Sequence, residues 1–251
     1  MNICAIVPTY NNERTLSSVI DGVLRHIAAV IVVNDGSTDR TPSILAEYGN
    51  RIMTVSCPTN KGKGYALRKS FRYALSKGFT HAVTIDSDGQ HFAEDIPSFL
   101  EAAAAHPQAL IIGSRNLTQE NMPEKNTFAN RFSNFWFTAQ TARRLPDTQT
   151  GYRLYPLLQM GSMRLCTTRY ETELEILVRS AWRGIPLIPI PVSVHYAPDR
   201  ITHFRPAWDF ARISVLNTVF CLLAVVYGYP RMLVRYFGYR WLYSCDTIVI
   251  R

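Results

Sequence analysis

Asp86-Ser87-Asp88 closes the apolar run HAVTI, with Gln90 and His91 just beyond it. Two carboxylates two residues apart at the end of a buried strand point into whatever crevice lies there. Hard oxygen donors at that spacing suit Mg2+ or Mn2+, with a bound diphosphate completing the shell. An isolated D-x-D is otherwise a common solvated turn or helix cap, and its place behind a strand is what favours the ligand reading. Asp35, in NDGSTD, follows a second apolar run. A carboxylate there can accept hydrogen bonds from a base or ribose, while Gly36 lets the backbone approach closely. In the same segment Asp39 or Thr41 reads as the cap of a helix opening at Pro42. NKGKG at 60–64 sets Lys61 and Lys63 in a glycine-rich turn at the start of a helix. Such a turn attracts phosphate, but taken alone it is more often just a solvated turn, and it lacks the spacing of a P-loop.

These residues need a scaffold, and the first half of the chain supplies one. Apolar runs at 3–7, 29–33, 52–55, 81–85 and 110–112 alternate with amphipathic stretches at 15–26, 42–48, 63–77 and 93–106. That is a βα repeat, and strands that are apolar without alternation are covered on both faces, as in a doubly wound, mostly parallel sheet. Ligands of such sheets bind at the carboxyl ends of the strands, where PTYNNE, NDGSTD, DSDGQH and GSR all fall. From 116 to 146 the pattern turns polar and aromatic, and NRFSNFWF predicts an amphipathic helix roofing the site. IPLIPIPVSV is punctuated by proline, and the composition shifts again near Pro206. We expect a main domain over 1–205 and a helical, membrane-associated appendage over 206–251. Within it, 213–229 falls slightly short of the ~20 residues that span a bilayer and contains Asn217. The run could span the bilayer, lie in its interface anchored by Trp241, Tyr243 and neighbouring arginines, or pack on the domain or at a homodimer interface, and membrane association is the favoured reading.

Composition sets the outer bounds. The 251 residues are 47% hydrophobic, enough for one sizeable core. The net charge of +8 and a pI near 9.4 point to anionic partners. The basic residues late in the chain lie beside apolar ones rather than on a polar helix with stacking aromatics, which argues against nucleic acid. Five scattered cysteines without zinc spacing suggest a reducing compartment. The N-terminus enters an apolar run ending at Pro8 without a signal-peptide pattern, so a cytoplasmic protein is expected.

Together, PTYNNE, NDGSTD, DSDGQH and GSR resemble the family-2 glycosyltransferases of the GT-A fold, especially the branch of dolichyl- and polyprenyl-phosphate sugar synthases. The resemblance covers roughly residues 1–205. It implies an inverting transfer from a UDP- or GDP-sugar, with Pro8, Thr9, Tyr10, Asn11, Glu13 and Asp35 as nucleoside-binding elements. Asp86, Asp88 and Gln90 become the metal and diphosphate site. Arg115, and Asp147, Gly151 and Arg153 of DTQTGYR, are similar to later motifs around the diphosphate and sugar. Glu171 and Glu173 of YETELEI stand where many members carry an acidic pair near the acceptor, although both also read as ordinary exposed helix positions. Arg200, His203 and Arg205 resemble the basic segment of the lipid-phosphate branch, and Arg131 offers a second phosphate clamp. A polyprenyl phosphate acceptor is ionised at neutral pH and needs no base, whereas a hydroxyl of a glycolipid or polysaccharide would need Asp147, Glu171 or Glu173 as one. Gly89 departs from the lipid-phosphate branch, which often has an apolar or larger residue there. A non-catalytic nucleotide-sugar-binding module is disfavoured by the intact D-x-D, and a nucleotidyltransferase by the glycine-free loop TYNNERT.

Overall fold

A computed structural model describes residues 1–115, 124–195 and 206–246. Its strands are β1 (Ile3–Thr9), β2 (Val30–Asn34), β3 (Met53–Ser56), β4 (His81–Thr84), β5 (Leu110–Arg115), β6 (Arg153–Pro156) and β7 (Leu187–Val192). They form one sheet in the order β3-β2-β1-β4-β6-β5-β7. Every pairing is parallel except those of β6, which runs antiparallel to both β4 and β5. All five expected apolar runs are strands. The four amphipathic stretches hold α1 (Leu16–Leu24), α2 (Thr41–Tyr48), α3 (Lys63–Ser76) and α4 (Ile96–Ala105). The remaining helices are α5 (Glu124–Thr141), α6 (Leu157–Met160), α7 (Glu171–Arg183), α8 (Pro206–Leu223) and α9 (Tyr229–Asp246).

The central strands β1, β2, β4 and β6 are buried on both faces, as unbroken apolar strands require, while the edge strands β3 and β7 are exposed in part. Cys4 and Ile6 of β1 join a core layer with α3, α5, α6, α7 and α8, while Ala5 and Val7 join the layer under α1, α2 and α4. Two strands were not expected. β6 is only four residues long, too short for a periodic signal, yet fully buried. β7 tolerates Pro189 and Pro191 because it pairs with β5 alone and forms the edge of the sheet. α7 stops at Gly184, whose left-handed backbone (φ 74°) lets its N–H return to the Ala181 carbonyl.

α8 and α9 are joined through a wider, π-type turn at Ala224–Gly228 into one unbroken helix. The 213–229 run is thus the middle of a longer element, not a short helix. By length and composition its Trp208–Phe237 stretch, 30 residues, is sufficient to cross a bilayer.

Candidate active site

The loops that leave β1, β2 and β4 are tied together before any ligand arrives. Asn11 adopts a left-handed backbone (φ 50°), donates its N–H to Ser37 Oγ (3.0 Å) and accepts the Thr38 N–H at Oδ1 (2.8 Å). Glu13 accepts the Arg40 N–H (2.8 Å). Asn12 donates to Ser87 Oγ (2.7 Å), and the Thr15 hydroxyl to the Ser87 carbonyl (2.6 Å). Asn11 and Glu13 therefore brace the β1 and β2 loops, and Ser87, between the two aspartates, anchors the third. At their junction, on the carboxyl edge of the sheet, lies a cavity of about 180 Å3. Pro8, Tyr10, Asp35, Lys63, Asp86, Asp88 and Gln90 line it, with Arg169 and Tyr170 facing them from the segment before α7.

Asp35 is buried and receives the Gly62 N–H (2.7 Å) and the Lys61 N–H (3.0 Å). Its carboxylate thus fixes the turn that opens α3. Gly36 (φ 73°) lies against the Thr59 backbone, where no side chain fits. The glycines of NKGKG serve close packing. A Cβ on Gly62 would come 2.6 Å from the Thr168 carbonyl oxygen, and one on Gly64 would collide with the Thr172 hydroxyl. Lys61 is exposed and lays its ammonium over the Tyr65 ring, 4.9 Å from the centroid.

Lys63 turns inward. Its Nζ lies 2.8 Å from Asp86 Oδ1 and 2.9 Å from Glu173 Oε1, so one ammonium joins the end of β4 to α7. Burial would discharge this lysine, but the two carboxylates hold its pKa above the ordinary value. Burial likewise opposes charge on Asp86, yet the Lys63 charge and hydrogen bond prevail and keep its pKa low. Gly151 closes the triad. A Cβ there would stand 2.6 Å from Lys63 Nζ, 2.7 Å from Asp86 Oδ2 and 2.8 Å from Glu173 Oε1. Asp88 accepts two hydrogen bonds from Gln90, one from its backbone N–H (3.1 Å) and one from Nε2 (2.7 Å). Burial pushes the His91 imidazole down to about 4 against the pull of Asp86, so it is neutral at pH 7.

The donor set fits a divalent cation in part. Asp88 and Gln90 offer hard oxygens to the cavity, but Asp86 shares its carboxylate with Lys63. Among the described residues there is no cluster of three acidic, histidine or cysteine ligands. A cation here would therefore have to draw the rest of its shell from a bound diphosphate and water.

The other acids are engaged elsewhere. Asp147 is fully buried and accepts from Arg115 Nε (2.6 Å) and Nη2 (3.0 Å), from Asn130 Nδ2 (2.7 Å) and from the Gln149 N–H (3.0 Å). Burial opposes its charge, but the Arg115 hydrogen bonds outweigh that and lower its pKa. Arg153 is also fully buried and donates to the carbonyls of Glu173 (2.7 Å) and Thr148 (3.0 Å). Glu171 and Glu173 are not the exposed helix positions that their sequence pattern allows: both are buried, Glu171 against Arg212 (2.5 Å). Arg131 is exposed on α5. Arg200, His203 and Arg205 lie outside the described residues. Sequence reasoning did not single out Asn12, Ser87, Arg169 or Tyr170. Asn12 lies inside PTYNNE, Tyr170 opens YETELEI and Ser87 stands between the two aspartates, whereas Arg169 carried no signal.

Similarity to known proteins extends over most of the chain. A model of the family described as glycosyl transferase family 2 matches residues 4–160. The UDP-N-acetylglucosamine–dolichyl-phosphate N-acetylglucosaminyltransferase of Methanococcus voltae is 27% identical over 215 residues, covering 77% of this chain and 86% of that protein. The undecaprenyl-phosphate mannosyltransferase of Micrococcus luteus is 27% identical over 205 residues, covering 77% and 83%. Among solved structures, glucosyl-3-phosphoglycerate synthase from Mycobacterium tuberculosis, in complex with Mn2+, UDP-glucose and phosphoglyceric acid, superposes with a TM-score of 0.64 at 20% identity. That match covers 89% of this chain and 79% of that one, and the likeness is one of fold, the GT-A architecture.

Proposed function

The chain belongs to glycosyl transferase family 2, and from that premise we propose that it moves a sugar, with inversion at the sugar carbon, from a UDP- or GDP-sugar to a lipid-linked phosphate of the polyprenyl kind. The observation that carries the choice of acceptor is the engagement of the three candidate bases. Asp147 is held by Arg115, Glu171 by Arg212 and Glu173 by Lys63, all in buried ion pairs. A hydroxyl acceptor needs one of them to take a proton, whereas a phosphate attacks already ionised. The relatives from M. voltae and M. luteus, whose names specify dolichyl and undecaprenyl phosphate, support the same reading.

In this mechanism Pro8, Tyr10 and the Asp35 carboxylate receive the nucleoside, and the acidic end of the cavity receives the diphosphate. Asp88 and Gln90, with Asp86 beside them, would hold Mg2+ or Mn2+. That ion would offset the charge that builds on the departing nucleoside diphosphate. Lys63 keeps Asp86 ionised and in place, and Arg169 presents a cation to the diphosphate from the opposite wall. Arg131, with Arg200, His203 and Arg205, is assigned to the acceptor phosphate. Such substrates meet where a soluble nucleotide touches a bilayer, which we take to be the inner face of the cell membrane. Residues 1–205 serve as the catalytic domain and 206–251 as its membrane-associated segment.

The test is nucleoside diphosphate release by purified protein with Mn2+ and a panel of UDP- and GDP-sugars. Release should require polyprenyl phosphate, and equal release with the corresponding polyprenol would overturn the acceptor assignment. Asp88→Asn should lower the rate about 100-fold or more. It should also abolish calorimetric Mn2+ binding in the presence of nucleoside diphosphate, with the melting temperature unchanged.

A further inference from the structure

The long helix formed by α8 and α9 is apolar on its outer side as well as on the side that packs on the domain, where Ile213, Leu216, Phe220 and Met232 meet the core. Its inner side also carries polar groups that find partners there. Asp209 is fully buried and accepts from Arg169 Nε (3.1 Å), Arg212 donates to Glu171 (2.5 Å), and buried Asn217 accepts from Gln140 Nε2 (3.0 Å). Farther along, Phe220 and Gly228 pack on Trp182, and Arg235 donates to the Arg183 carbonyl. The outer stripe holds Trp208, Val215, Leu222, Val226, Val234 and Phe237, each at least 60% exposed. Their spacing of mostly three, four, seven or eight residues keeps them on one side of the helix. Only 17% of the most apolar 18-residue window within Trp208–Phe237 is buried, so this is not the core helix of a soluble fold.

Length and composition alone would let the helix cross a bilayer, but its attachments do not. It is fastened to α5, to α7 and to the segment before α7 at points from Asp209 to Arg235, and a spanning helix would have to give up every one of those contacts. We propose that the α8–α9 helix lies along the surface of a phospholipid bilayer, outer stripe in the acyl boundary, while its inner stripe stays docked on the catalytic domain. A single continuous apolar stripe beside a basic chain of net charge +8 fits an anionic lipid surface. Through Asp209 the same helix also holds Arg169, which lines the nucleotide cavity, so the lipid-facing element forms part of the site's framework. The inference deepens the proposed function by naming how the protein meets its membrane. Its test uses neither donor nor acceptor, so the two can fail separately.

The experiment is flotation of the full chain with vesicles of phosphatidylcholine and phosphatidylglycerol. Leu222→Glu combined with Val226→Glu should reduce vesicle binding at least about tenfold, because charges on the outer stripe oppose burial in lipid, with circular dichroism and melting temperature unchanged. Gln140→Cys lies beside the native Cys221, whose Sγ is 3.9 Å from Gln140 Nε2, and oxidation would lock the helix onto α5. The locked protein should bind vesicles as well as its reduced form. Loss of binding on locking would mean that the helix leaves the domain to cross the bilayer, and would overturn the proposal. So would a chain that ignores vesicles and elutes as a dimer that the double glutamate variant makes monomeric.

Discussion

Lys63 carries its charge to a place where Asp86 and Glu173 answer it, and each of those acids in turn depends on that one ammonium. Lys63→Met should therefore destabilise the fold by about 3–5 kcal/mol, the cost of leaving buried charge uncompensated. Adding Glu173→Gln should recover part of the loss, measured as denaturation midpoints of the single and double variants. Asp147 makes a second test, this time of acid sensitivity. Its folded pKa is depressed, so its contribution is complete above the unfolded value of about 4 and disappears as pH falls through the lower folded value. Asp86 and Glu171 are shifted in the same direction. Thermal stability should be level from neutrality to about pH 5 and fall steeply below pH 4. Asp147→Asn should be less stable at pH 7 and show a shallower acid limb.

At the scale of elements, the helix α8 reaches the site through side chains rather than by lining the cavity. Asp209 acts as a positioning residue for Arg169. Asp209→Asn should weaken nucleoside diphosphate binding about 3- to 10-fold by calorimetry, less than the full worth of a charge-assisted hydrogen bond because an amide oxygen still accepts from Arg169. Asp209→Glu should restore part of it, whereas a purely structural role would move only the melting temperature. Much of the scaffold was legible because β1, β2 and β4 are unbroken apolar runs that end in polar loops, and helix periodicity filled the gaps between them. The cavity-lining acids were legible for the same reason, since a polar residue at the end of a buried strand has nowhere to go but the crevice. β6 was not legible, because four residues cannot display a period. Nor was the inward turn of Lys63. A lysine in a glycine-rich turn looks solvated until the tertiary structure brings Glu173, more than a hundred residues away, beside it.

For the molecule as a whole, the family assignment rests on 4–160, while the inferred membrane face and the Arg169 tether depend on residues beyond that span. The reversed strand β6 sets how these portions cohere. Among the described residues it is the one strand that joins the four-strand parallel half β3-β2-β1-β4 to the pair β5-β7. The first half pairs neighbouring βα units, whereas joining the second to it requires residues 153–156 to return against β4 from beyond α5. Non-local closures of this kind are slow. In pulsed hydrogen exchange during refolding, amides of β1 and β2 should gain protection before those of β5 and β6. Simultaneous protection would mean that the latch closes together with the rest, and a truncation before 153 should leave a partly ordered half-sheet that folds without a donor cavity wall.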